Sequence, residues 1–165
     1  MNVTMILAEL LIMFLIFGFL VIGLLLINPL SFVSDYPPEI QEAYYQSQNK
    51  EAVREKANTI MFIRKVITLI AFIFIFAWML HIAGAKTFTQ GLLLTYAYAF
   101  ALFCWDTFFL DWILFANIRR IRLPGTEHMD KEYHQKWFHV KGCIPMIPVF
   151  AIIGVLSALV MIWIW

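Results

Sequence analysis

Four long apolar runs dominate the chain, and each is separated from the next by a polar connection. Crossing about 30 Å of hydrocarbon takes about 20 apolar residues in a helix, and residues 5–27, 60–82, 88–118 and 142–165 meet that length. The first run is interrupted only by Glu9 and is closed by Asn28-Pro29, and the uncharged part of the second begins at Val66. The third continues past Asp106 and Asp111, while the fourth carries no charge. The pattern predicts an all-α polytopic membrane protein: one domain over 1–165, built as a four-helix transmembrane bundle. Its longer connections are 28–59 and 119–141.

Those connections have structure of their own. In the first, Tyr36-Pro37-Pro38 ends one element and starts another, because proline is tolerated in a first helical turn. The following stretch, EIQEAYYQSQNKEAVREKANTI, has no further Pro or Gly, so a helix is expected that bends into the second span or runs on from it. The other connection contains LPGTEHMDKEYHQKWFH. Pro124-Gly125 is turn chemistry. Thr126 is then placed as the N-cap of a helix over 127–138 whose early acids suit the helix dipole.

Composition supports the membrane reading. The chain is 62% hydrophobic and 14% charged, against about half and about a quarter in soluble domains. A net charge of +1 argues against nucleic acid as a partner, since phosphate binding requires a basic excess. Two cysteines, Cys104 and Cys143, imply no disulfide framework. The opening MNVT lacks the basic residues of a secretory signal, so the first run is expected to be a retained helix.

Charge also gives a direction. Lys50, Arg54, Lys56, Arg64 and Lys65 lie in or beside the first connection, and Arg119, Arg120, Arg122, Lys131, Lys136 and Lys141 in the last. Lys86 alone falls on the other side. Lys and Arg are enriched on the cytoplasmic side, so both termini are expected outside. Trp78, Trp163 and Trp165 then mark the outer interface, with Trp112 and Trp137 at the inner one.

Candidate packing and chemistry follow from the exceptions. Gly154 and Ala158 form a small-xxx-small pair in the fourth run, and Pro145 and Pro148 predict a kink near its start. Ionisable groups within a span usually face protein or water. Asp106 is the in-membrane polar candidate, whereas Asp111 is placed to reach interfacial water, Arg119 or Arg120. Five residues apart on an α-helix, the two acids point about 140° apart. At the outer end, Glu9 is expected to pair with Lys86 or His81.

Glu127, Asp130 and His134 share an i, i+3, i+7 face if the helix is continuous, and could ligate a divalent metal there. Glu132, Gln135 and His139 repeat that spacing on another face, with the same residue types open to acid–base roles. Arg119, Arg120 and Arg122 could hold an anionic headgroup or phosphate. No H-E-x-x-H or CxxC motif, phosphate-cradling glycine loop or dinucleotide fingerprint is present. No simple cross-bundle histidine pair is available for haem.

The run of Asp111-Trp112, a basic turn, Leu123-Pro124-Gly125-Thr126-Glu127, Tyr133 and His139 resembles uncharacterised four-span bacterial integral membrane proteins over about the C-terminal half. The resemblance implies a bacterial cytoplasmic membrane and no particular activity, and it groups Asp111, Glu127 and His139, which the residue types then make the catalytic candidates. Three functions are therefore carried forward. One is a cytoplasmic-face site that handles a lipid or apolar small molecule. Another is a non-catalytic subunit or assembly factor with a membrane-protein partner. The third is a homo-oligomeric, proton- or ion-coupled transporter using Asp106.

Overall fold

The structure, a computed structural model, describes residues 1–47 and 50–165. The described residues are mostly helical with no strand among them, and four helices are long and apolar enough to cross a membrane. They are α1 (Val3–Ile27), the Phe62–Ile82 part of α3 (Lys50–Ile82), α4 (Phe88–Trp105) with its continuation to Phe115, and α7 (Met146–Ile164). Between them lie α2 (Pro38–Gln46), α5 (Asp130–Tyr133) and α6 (Lys136–Cys143). Positions 48 and 49 of the first connection's predicted helix lie outside the described residues; α3 runs on unbroken into the second span.

Two boundaries depart from expectation. The last span begins at Met146 rather than at residue 142, and Ile144 and Pro145 form a turn that separates it from α6. Pro145 is the N-cap and Pro148 falls in the first turn, where a missing N–H breaks no helical bond. The prolines thus set a helix start instead of a kink. The second departure lies after Trp105, where the helix widens into a π-helix over Asp106–Phe115.

The chain divides into two units. The first comprises Met1–Ile16, Val66–Trp105 and Cys143–Trp165. Within it α4 and α7 run antiparallel at close range. A Cβ on Gly91 would stand 3.1 Å from the Ala158 Cβ, and one on Gly154 would stand 2.6 Å from the Tyr96 ring. Small residues allow this approach, which substitutes dispersion contact for a hydrophobic drive that lipid does not supply. Ala158 is fully buried, in keeping with the pairing of Gly154 and Ala158. Phe14 stacks on Trp105 at 5.0 Å. The Asn2 N–H donates to the Ala83 carbonyl at 2.9 Å, fastening the first residues to the end of α3.

The second unit comprises Phe17–Lys65 and Asp106–Gly142. Its core is aromatic: Tyr36, Phe115 and Tyr133 meet pairwise at ring distances of 4.9–6.0 Å. Ile40, Ile121 and Leu123 surround them. Asn28 ends α1 and its side chain accepts the Leu30 N–H at 3.1 Å. Pro38 opens α2 as the proline pair predicts. The long first connection and the 119–141 segment pack on each other here, joined by the Tyr36 hydroxyl donating to the Ile121 carbonyl at 2.7 Å.

Candidate functional site

The second unit gathers the ionisable groups singled out in the sequence, but in a new arrangement. Its 123–139 segment is not one helix. Leu123-Pro124-Gly125-Thr126 forms a turn with Gly125 at φ +83°, closed by the Thr126 N–H on the Leu123 carbonyl at 3.0 Å. Glycine suits the third position of such a turn because it carries no Cβ. Thr126 does not cap a helix: it is fully buried, its hydroxyl donates to the Leu123 carbonyl at 2.8 Å, and it meets the Tyr133 hydroxyl at 2.8 Å. A short α5 follows, and the chain breaks at His134 and Gln135 before α6.

That break dissolves the predicted metal face. The i, i+3, i+7 relation of Glu127, Asp130 and His134 requires a continuous helix, and here each residue has a separate engagement. Asp130 binds Arg122 at 2.5 Å, and the Arg122 guanidinium lowers its pKa. The His134 Nδ1 lies 2.6 Å from the Asp130 carbonyl. Glu127 is exposed, and its backbone carbonyl accepts from Arg122 at 2.6 Å. Among the described residues no three His, Cys, Asp or Glu side chains are grouped as a metal site requires.

The arginines divide as well. Arg119 and Arg120 are exposed and remain open to a headgroup. Arg122 is buried beneath Asp130 and lies over the Tyr133 ring at 4.7 Å, so it braces the turn. The Tyr133 hydroxyl also accepts the Leu123 N–H at 3.0 Å. Burial raises the pKa of both Tyr36 and Tyr133.

Two members of the Asp111, Glu127 and His139 set do come together. The Asp111 Oδ2 lies 3.2 Å from the His139 Nδ1, in place of a pairing with Arg119 or Arg120. His139 is 8% exposed. Its ring stands edge-on to Phe115 at 5.3 Å and to Phe138 at 5.4 Å. The other ring nitrogen, Nε2, is buried without a hydrogen-bond partner among the described residues. Glu127 does not join this pair.

The π-helix changes the placement of the acids. Its backbone bonds join i to i+5, so residues five apart come near one face instead of the α-helical separation of about 140°. Asp106 is partly buried and within electrostatic reach of both Asp111 and Asp35. Close by, the Trp112 indole donates to the Lys136 carbonyl at 3.1 Å, and the Lys136 ammonium lies 5.2 Å from that ring. Trp137 is largely exposed.

Sequence reasoning missed the structural parts played by Tyr36, Thr126 and Arg122 and the π-helical turn. For Tyr36, the prolines beside it mark the boundary between elements but carry no sign of its bond to Ile121, 85 residues away. For the π-helix no signal stands out in the residues. In the first unit, Glu9 pairs with neither Lys86 nor His81. It accepts a hydrogen bond from the Tyr98 hydroxyl, while His81 stacks on Trp165 at 4.6 Å.

No family model, curated protein or solved structure matches this chain. The chain is therefore placed by its own architecture: an all-helical protein with four helices able to span a membrane.

Proposed function

We propose that Asp111 and His139 form an acid–base centre at the cytoplasmic edge of a membrane, acting on a lipid or another apolar small molecule. The observation that carries this reading is the buried, unpartnered His139 Nε2 behind a ring fixed through Nδ1. An ionised Asp111 accepts a hydrogen from Nδ1, which leaves a lone pair on Nε2. A proton taken at Nε2 makes an imidazolium that Asp111 stabilises. Phe115 and Phe138 keep water from the ring and favour an apolar reactant. Asp106, near the same face of the π-helix, is the deeper polar group of this site.

The distribution of Lys and Arg supports a cytoplasmic location for the second unit, with both termini outside. Packing of the two long connections on each other agrees with their lying on one side. Arg119 and Arg120 are then available to an anionic headgroup.

Nitrogen-15 NMR of the full chain in lipid nanodiscs tests the centre. The expected result is a His139 tautomer protonated at Nδ1, lost as the dominant form in Asp111→Asn. Mass spectrometry of lipids retained through purification should show a species depleted in His139→Gln. A His139 protonated at Nε2, together with identical lipid content in wild type and His139→Gln, would exclude the reading. Labelling of a cysteine added at the N-terminus in intact cells tests the orientation.

A further inference from the structure

The first unit contains one acidic side chain, Glu9, and it lies within an apolar helix able to span a membrane. By the helical rise it sits about 10 Å along α1 from its start. Glu9 is 9% exposed. The Tyr98 hydroxyl donates to its Oε2, whereas Oε1 is buried with no hydrogen-bond partner among the described residues. The Lys and His side chains of this unit, Lys86 and His81, are exposed and make no ion pair with it among the described residues. Tyr98 is the titratable group that faces Glu9 from α4; α7 contributes no charged residue.

Burying an isolated carboxylate costs far more than burying a neutral acid, because the charge loses its hydration. One hydrogen bond from a tyrosine does not replace a counter-ion. We infer that Glu9, held by Tyr98, is a proton-binding site inside the membrane part of this protein. A proton from water adds to a carboxylate oxygen to give the neutral acid and leaves by the same bond; no other bond changes. Tyr98 holds Oε2 and leaves Oε1 as the oxygen that gains and loses the proton. The site is independent of Asp111 and His139 and shares no residue with them. It provides the element a proton-coupled membrane process needs, a carboxyl that is loaded and unloaded within the hydrocarbon layer.

Infrared spectroscopy of the full chain in liposomes tests this directly. The wild-type minus Glu9→Gln difference should contain a neutral carboxylic acid band near pH 7. That band should shift in heavy water and give way to carboxylate bands as pH rises. In Tyr98→Phe the band should persist at higher wavenumber, having lost its hydrogen bond. Should Glu9→Gln fail to fold, the band displaced between wild type and Tyr98→Phe identifies Glu9. Carboxylate bands alone near pH 7 would overturn the proposal. So would a band that neither exchanges nor titrates, since that describes a fixed structural acid.

Discussion

The two units bury polar groups by different means. Ten of the eleven acidic residues and eleven of the twelve Lys and Arg residues belong to the unit of Phe17–Lys65 and Asp106–Gly142. There a buried arginine, two buried tyrosines and a buried threonine each bind named partners, while the Arg122 Nε and the His139 Nε2 are buried without one among the described residues. The other unit has hardly any charge to satisfy and closes its helices through glycine and alanine. Its one acidic side chain, Glu9, is only half satisfied. Hydrogen bonding organises irregular backbone, which must satisfy its own polar groups. Close packing suffices where every backbone group is already paired within a helix.

The contrast can be broken most severely at Arg122. Arg122→Ala removes a buried guanidinium that holds the Glu127 carbonyl, Asp130 and the face of Tyr133. A loss of about 2–4 kcal/mol is expected, read as a lower thermal midpoint with faster hydrogen exchange over 116–142. Gly91→Leu attacks the other unit by forcing a side chain onto Ala158 and Met161. Overpacking of this kind costs about 1–3 kcal/mol, and exchange should rise in α4 and α7. Equal disturbance of both units by either variant would refute the division of labour.

Tyr36→Phe is a smaller test: it keeps the ring contacts and strands the Ile121 carbonyl, for about 1–2 kcal/mol. The pH dependence has a definite sign in this unit. Tyr36 and Tyr133 have raised pKa values when folded, so their contribution is complete below the unfolded value of about 10 and is lost as pH climbs through the folded ones. Asp130 works at the other end. Its pKa is lowered, so its contribution is present above the unfolded value and disappears as pH falls through the folded one. Near-ultraviolet dichroism followed from neutral to strongly alkaline pH should show aromatic loosening that Tyr36→Phe diminishes. The smallest effect is expected from Glu127→Ala. Its side chain is exposed and does not reach His139, so stability should change by less than about 0.5 kcal/mol and the His139 tautomer not at all.

Much of the helical architecture was legible because hydropathy is a sum over neighbours in sequence. The four spans, the stop at Asn28, the start at Pro38 and the turn at Pro124-Gly125 all depend on local chemistry. The 123–139 segment was misread for a related reason. An unbroken helical pattern cannot reveal that Thr126 will be buried against Tyr133, or that the helix will stop at His134 and Gln135.

The candidate site needed more than local pattern. Choosing Asp111 and His139 was within reach of the residues alone, but bringing them to 3.2 Å required the fold. The same holds for excluding Glu127, for the π-helical turn that moves Asp106 towards Asp111, and for placing Glu9 against Tyr98. The sequence by itself determined which segments are long and apolar enough to span a membrane, since transfer free energy accumulates residue by residue along a helix. Tertiary structure alone decided which buried polar groups meet. Each meeting joins residues far apart in the chain, and no local preference fixes the partner.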